Sequence, residues 1–372
     1  MLKKVIRILN SFIPKRRNGI VFMSVPDYCD NPKIIFEYLR AKKYGVRMIW
    51  LIEKNDLVRY LTEQGVPAVR RKSILGLVEF LRARIIVTSH TNSLSMKCGA
   101  QILLNLWHGI GPKTEPSKAT STSEQLRTKD LWKSVDYSIT TSRAAVPHYF
   151  EFFDLPEDRV KFFGYARHEF LSKKRDDHEY ALSLRHNLCS DKVLLRKKWI
   201  LLAPTYREEG RDLNDEELQM INKTVQDNGG LLMLRAHPVL GKRIEANHRG
   251  IVDVTSIRDI TEYLPAFDGL VTDYSSIAYD FAVLRKPMVF YLYDYEEMDR
   301  IRGLNFACPS DYPGHVAFNA EELELGLIEV MNGNSKNIDP VLKKFYPPDI
   351  ENACTKTTEF IMSLIRDGDS HE

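Results

Sequence analysis

The sequence predicts an α/β protein built from two Rossmann-like domains facing each other across a cleft. Three observations lead there. The chain has 372 residues, and at roughly 100–200 residues per domain two units are the simplest reading. Short apolar runs alternate with amphipathic segments, and the rhythm pauses once, in a charged stretch from Ser172 to Asp191, before it restarts. The runs are rich in Val, Ile, Leu and Phe with little period-2 alternation, as in strands covered on both faces of a parallel sheet.

Taken in order, residues 1–18 precede the first domain. Leu2, Val5, Ile6, Leu9, Phe12 and Ile13 recur at helical spacing, and Lys3, Lys4, Arg7, Lys15, Arg16 and Arg17 add positive charge, with no acidic residue before Asp27. Such a basic amphipathic helix can lie on an anionic membrane. It can equally pack on the domain with a solvated basic face. Residues 19–172 form the first expected domain, with strands at Gly19–Ser24, Arg47–Ile52, Arg84–Ser89, Gln101–Leu106, Tyr137–Thr140 and Val160–Phe163. Residues 173–372 form the second, with strands at Trp199–Ala203, Leu231–Arg235, Ile251–Val254, Gly269–Thr272 and Pro287–Tyr291. Stretches such as Pro32–Lys43 and Glu216–Asn228 are long enough for crossover helices.

Composition narrows the function. Hydrophobic residues make up 44% and charged residues 28%, which excludes a largely disordered chain. A net charge of +3 argues against a bulk nucleic-acid binder. Cys29, Cys98, Cys189, Cys308 and Cys354 are scattered with no CxxC pair, so neither a disulfide framework nor a zinc ribbon is indicated. Apolar stretches fall short of the ~18 residues that span a bilayer, and no signal peptide opens the chain. The expectation is a protein of the cytoplasmic side.

Polar clusters gather just past the apolar runs: Trp107-His108-Gly109, Thr141-Ser142-Arg143 and Gly164-Tyr165-Ala166-Arg167 in the first half. In the second they are Pro204-Thr205-Tyr206-Arg207, Ala236-His237-Pro238 and Asp273-Tyr274-Ser275-Ser276. Open α/β sheets bind ligands outside the carboxyl ends of their strands. Either His108 or His237 alone reads as a hydrogen-bonded structural residue. As a pair at equivalent strand ends they suit a general base or a donor to phosphate oxygens.

Asp273 and the two serines precede a helix expected over Ile277–Leu284, where they can simply be caps. Hydroxyls and free N–H groups at a helix N-terminus also suit a phosphate. Thr205 and a bidentate Arg207 would add donors, completing a diphosphate cradle. There is no GxxxxGK[ST], no HExxH and no complete dinucleotide fingerprint, and Asp367-Gly368-Asp369 is the only Asp-x-Asp. With no metal or cofactor motif, cationic and hydroxyl side chains must balance the phosphate charge.

These motifs occur in an order shared with a known family. Trp107-His108-Gly109, Ala203-Pro204-Thr205-Tyr206-Arg207, Arg235-Ala236-His237-Pro238 and Val271-Thr272-Asp273-Tyr274-Ser275-Ser276 are followed by Tyr279-Asp280-Phe281, Lys286-Pro287, Tyr293-Asp294, Arg302-Gly303 and Pro313-Gly314. The chain resembles the CDP-glycerol glycerophosphotransferases, the primases and polymerases of teichoic acids and related capsular polymers. The resemblance covers roughly residues 100–360 and is strongest from Trp199 to Gly314. It implies a GT-B fold with the nucleotide donor held by the second domain, and peripheral attachment to the inner face of the cell membrane. Where the family often has Thr-Pro-Leu-Lys after His-Gly, this chain has Ile110-Gly111-Pro112-Lys113, on the presumed acceptor side. Its length is nearer to a primase or a short capsule transferase than to the large polymerases.

The expected activity is transfer of glycerol phosphate, or a related polyol phosphate, from CDP-glycerol to a hydroxyl of a membrane-linked or polymeric glycan, releasing CMP. His108 is the expected base, with a pH limb at the ordinary histidine value of ~6.5, and His237 is expected to stabilise the diphosphate. Thr205, Arg207, Asp273, Ser275, Ser276 and Arg302 form the expected donor site, and Trp107, Gly109 and Lys113 the acceptor side. No cofactor, metal or nucleic-acid partner is expected. A nucleotide-sugar glycosyltransferase and a non-catalytic membrane-bound assembly factor are the alternatives.

Overall fold

The computed structural model describes residues 2–90, 96–205, 207, 212–235 and 250–367. The chain divides into two compact units. The first comprises Met1–His108, Thr120–Phe170 and Pro347–Glu372, and the second Gly109–Ala119 and Leu171–Tyr346.

The first unit is built on a seven-stranded parallel sheet of β1 (Arg16–Met23), β2 (Arg47–Ile52), β3 (Ala68–Arg70), β4 (Ala83–Thr88), β5 (Ile102–Asn105), β6 (Tyr137–Ile139) and β7 (Val160–Lys161). The spatial order is β3-β2-β1-β4-β5-β6-β7, so the winding reverses between β1 and β4, where such sheets open a ligand crevice. Its first helices are α1 (Leu2–Ser11), α2 (Asp30–Lys42), α3 (Asn55–Glu63) and α4 (Ile74–Arg82). Phe22 on β1 lies opposite both Trp50 and Val87 on its neighbouring strands. Phe36 packs edge to face on both Phe22 and Trp50, and none of the three has exposed surface. Truncating such an aromatic to Ala costs ~3–5 kcal/mol.

The second unit carries a six-stranded parallel sheet: β8 (Lys198–Ala203), β9 (Gly230–Leu234), β10 (Ile251–Asp253), β11 (Gly269–Thr272), β12 (Met288–Tyr291) and β13 (His315–Ala317), in the order β10-β9-β8-β11-β12-β13. Its switch point falls between β8 and β11. The helix Asp215–Asp227 opens on a capping box of Asn214 and Glu217, which satisfies two orphan N–H groups reciprocally. It buries Leu218, Ile221 and Val225 against Leu202, Leu232 and Val271.

All eleven expected strands are present, within one to three residues at their ends. The expectation missed β3 and β13, which are three residues long, sit on sheet edges and carry no apolar run. The linear division at residue 172 differs from the compact units at the C-terminus. The helix Ala353–Asp367 belongs to the first unit, where Cys354, Ile361 and Leu364 enter the core beside α2. Glu169 accepts the Cys354 N–H at 2.6 Å and Tyr38 meets Thr355 at 2.9 Å.

The N-terminal segment also differs in part. Arg16 and Arg17 begin β1, and Lys15 is turned inward, its amine donating to Asn10 and to the Leu81 carbonyl. Arg16 pairs with the buried Glu79. Of the expected apolar face, Leu9 is more than half exposed and Phe12 is 80% exposed. Among the described residues no helix is long and apolar enough to cross a membrane.

Candidate active site

In the first unit the site forms where β5 ends. Asn105 closes the strand and its side-chain oxygen accepts the Trp107 N–H at 2.7 Å. Asn31, at the start of α2, donates to the carbonyls of Leu106 and Trp107, both at 3.1 Å. These bonds hold Trp107 at φ 51°, a left-handed conformation costly for a large side chain. Gly109 follows at φ 147°, a region open chiefly to glycine.

His108 is thereby fixed between Trp107 and His90, which stacks on it at 4.3 Å and 10°. Its Nδ1 lies 3.2 Å from the Ser89 carbonyl just past β4. A carbonyl only accepts, so Nδ1 carries the proton and Nε2 presents a lone pair. Burial, reinforced by the neighbouring His90 and the Arg167 charge, lowers the His108 pKa to about 3, against the opposing pull of the Ser89 bond. Burial and Arg167 lower His90 to about 4, and burial alone lowers His148 to about 3. The ring is therefore neutral throughout the physiological range, and the ordinary histidine value expected from sequence does not apply. Arg167 is anchored through its N–H to Asn31 and through Nη1 to Asp30 at 3.1 Å.

In the second unit the motifs meet at the switch point. β8 runs into Pro204-Thr205 and β11 into Asp273, and Asp273 accepts the Thr205 N–H with both oxygens, at 2.9 and 3.0 Å. Arg207 bonds Asp273 at 2.9 Å, Asp294 at 2.9 and 3.3 Å, and the Thr205 carbonyl at 2.7 Å. Four of its five N–H groups are thus used within the protein. Burial would lower the guanidinium pKa, but Asp273 and Asp294 more than reverse this and lock the charge on. Tyr274 donates to Asp294 at 3.1 Å.

Several expected roles change accordingly. Arg207 is not an open clamp for a diphosphate: with 7% of its surface exposed it is an internal counter-charge for two carboxylates. Asp273 does not cap a helix but binds Thr205 and Arg207. The helix is the short Ile277–Ala282, Ser276 occupies its N-cap position, and Ser275 Oγ accepts the Ile277 N–H at 3.4 Å. Three hydroxyls stand at this point, those of Thr205, Ser275 and Ser276. Thr205 Oγ1 is buried without a hydrogen-bond partner among the described residues, an orphan that a bound phosphate oxygen would satisfy. Tyr279, Asp280 and Phe281 are buried and position this helix.

Gly109 and Lys113, expected on the acceptor side, belong to the second unit. Residues 109–119 form a strap on it: Asn305 N–H donates to the Pro112 carbonyl at 2.6 Å, Thr114 N–H to the Gly303 carbonyl at 2.9 Å, and Lys113 forms an antiparallel bridge with Leu304. A Cβ on Gly111 would touch the Ser276 Cβ at 3.6 Å. Arg302, expected to bind donor, pairs with Glu115 at 2.8 Å and holds the strap. Trp107 and His108 remain in the first unit, and His237 lies outside the described residues. Sequence reasoning missed His90 and Asn31, which hold the His108 segment. Arg167 stood in a polar cluster after a strand, the available signal.

Residues 5–363 match the profile of the CDP-Glycerol:Poly(glycerophosphate) glycerophosphotransferases. The chain belongs to this family. It is 28% identical over 325 residues to a teichoic acid glycerol-phosphate transferase of Staphylococcus aureus (strain NCTC 8325 / PS 47), with 82% of each chain covered. It is 28% identical over 343 residues to the teichoic acid poly(glycerol phosphate) polymerase of Bacillus subtilis (strain 168), covering 86% of this chain but 45% of that protein. A structure of a variant of the wall teichoic acid polymerase TagF is similar at a TM-score of 0.80 and 26% identity, covering 98% of this chain and 94% of that one. The two Rossmann-like units carry the GT-B class that membership implies. Homology supports a glycerophosphotransferase of teichoic-acid-like synthesis.

Proposed function

We propose that the chain transfers glycerol phosphate from CDP-glycerol to a hydroxyl of a membrane-linked or polymeric glycan acceptor and releases CMP, in teichoic acid or capsular polymer synthesis. The observation that carries this reading is the His108 tautomer: in a member of this family, a neutral imidazole stands three residues past β5 with its Nε2 lone pair able to accept a proton. The acceptor oxygen attacks the phosphorus that bears glycerol, and the bond from that phosphorus to the bridging oxygen breaks. CMP leaves with the electron pair, and the acceptor proton passes to His108 Nε2. Such transfer needs mainly positioning and charge stabilisation. The His108 pKa of about 3 rises wherever negative charge lies nearby, because such charge favours the imidazolium. Thr205, Ser275 and Ser276 supply hydroxyl donors for the diphosphate at the second switch point, and His237 is assigned to the donor side.

Incubating the protein with CDP-glycerol, CDP-ribitol and nucleotide sugars, each with a lipid-linked glycan, tests the reading. CMP release from a CDP-polyol supports it, and the preferred polyol identifies the donor. Release of a nucleoside diphosphate from a nucleotide sugar would establish glycosyl transfer instead, and no turnover of any donor would leave an assembly role.

The same reading includes peripheral attachment to an anionic membrane through the first unit. Ile8, Leu9 and Phe12 are exposed at the end of α1. Ile74, Leu75 and Val78 are exposed on α4, with Ile74 at 86%, and Lys72 and Arg82 stand beside them. Lys15 joins the two elements by bonding Asn10 and the Leu81 carbonyl. Exposed apolar side chains collared by basic ones match the headgroup boundary of such a bilayer.

A further inference from the structure

The assignment of Arg207 to Asp273 and Asp294 raises a question of charge. A CDP-linked donor brings two phosphates, and the cation expected to meet them is already spent within the fold. Arg302 is already paired with Glu115 through one of its nitrogens. Lys113 differs from both. It is held by the bridge to Leu304, one residue after the Pro112 carbonyl that Asn305 grips and two after Gly111, which lies against Ser276. No hydrogen bond or ion pair of its amine is found among the described residues. The charges that act on it are Asp273, Arg302, Glu115 and Arg207, all of the second unit.

We propose that Lys113 is a donor-binding cation, contributing a charge-assisted bond to the diphosphate of CDP-glycerol held at Ser275 and Ser276. The inference rests on the proposed function. Burial lowers the amine pKa and Arg302 adds to this, while Asp273 and Glu115 oppose it. Such an ammonium, poorly hydrated and lacking a direct partner, gains more from an arriving phosphate than an exposed lysine would. The strap is rigid enough for the task. Thr114 Oγ1 donates to the Arg302 carbonyl at 2.7 Å, Lys118 reaches Asp299 at 3.1 Å, and a Cβ on Gly303 would sit 2.5 Å from Thr114 Oγ1. Residues that flank Lys113 thus fix its backbone, and its side chain is left to the ligand. The base at His108 and this cation stand five positions apart on one run of chain.

Calorimetric titration of CDP-glycerol into the wild-type chain, Lys113→Gln, Lys113→Met and Lys113→Arg tests the inference, with thermal midpoints measured in parallel. Gln and Met keep most of the stem, so the fold should hold. Loss of one bond to a charged group predicts donor affinity lower by about 10- to 100-fold in both. Lys113→Arg should recover most of it, and the salt dependence of binding should flatten in the neutral variants. A packing role alone would move the midpoint and leave the salt dependence unchanged. Folded Gln and Met variants that bind CDP-glycerol within twofold of wild type would overturn the inference and leave the proposed function standing. A wild-type chain that binds no CDP-glycerol would overturn both.

Discussion

Asp273 grips the backbone N–H of Thr205 with both carboxylate oxygens, at 2.9 and 3.0 Å, and so ties together the tips of the two strands at which the second sheet reverses its winding. Arg207 neutralises that carboxylate and Asp294 together. Thr205 itself belongs to this buried frame, its Oγ1 buried without a partner among the described residues.

Arg207→Ala should therefore act first on stability. Removing one partner of a buried ion pair costs ~3–5 kcal/mol, because the remaining charge is left uncompensated, and here two carboxylates are stranded. The thermal midpoint should fall steeply, and adding Asp273→Asn should recover part of the loss. Ser276→Ala should instead keep the midpoint and weaken CDP-glycerol binding by about tenfold. An Arg207→Ala protein with a wild-type midpoint and poor donor affinity would return the guanidinium to the role of phosphate clamp.

His108→Ala should lower turnover by ~10²–10⁴-fold, the contribution of a positioned base, with CDP-glycerol affinity nearly unchanged. The imidazole works only when neutral, so activity is lost as pH falls through its pKa. With that pKa near 3 in the free protein, kcat/KM should be flat from about pH 5 to 8, whereas an ordinary histidine would give a limb at ~6.5. In kcat the limb should lie higher, because bound phosphate favours the protonated ring. A kcat/KM limb at about 6.5 that vanishes in His108→Ala would show a solvated ring, contrary to the geometry.

His90, His108 and His148 should make the fold acid-sensitive. Their folded pKa values are lowered by burial to about 4, 3 and 3, while the unfolded chain titrates near ~6.5. The unfolded state thus binds more protons in that window, and stability present above about pH 6.5 is lost as pH falls toward 3. His148 is buried among Trp107, Tyr149 and Phe153, and its Nε2 has no partner among the described residues. His148→Phe should therefore lessen the drop in thermal midpoint between pH 8 and pH 5. An unchanged drop would exclude His148 as a source of the acid sensitivity.

Membrane attachment should depend on point changes at α1 and α4. Deleting residues 1–17 would also remove the Lys15 and Arg16 anchors, so a truncation confounds docking with folding. The pairs Ile8→Glu with Phe12→Glu, and Ile74→Glu with Val78→Glu, alter exposed side chains and should leave stability within about 0.5 kcal/mol. Each pair should shift the protein from the pellet to the supernatant when sedimented with phosphatidylglycerol vesicles. Full pelleting of both would place any membrane contact elsewhere.

The α/β class, all eleven strands with an apolar run and the motifs past their ends follow from the linear chain, because strand periods and turn residues are local properties. His108, Thr205 and the Ser275-Ser276 pair stand out as candidates for the same reason. Which partner each charge meets depends on the folded chain. Arg207 meets Asp294 across 87 positions of sequence and Lys15 meets the Leu81 carbonyl across 66, and no spacing rule encodes such pairs. The same holds for the helix Ala353–Asp367, which packs beside α2 in the first unit. The pKa of His108 follows the same logic, since it is set first by burial and then by His90, the Ser89 carbonyl and Arg167, which folding brings to the tip of β5. A sequence states which groups can ionise or donate, and burial and long-range partners settle which of them remain available to a ligand.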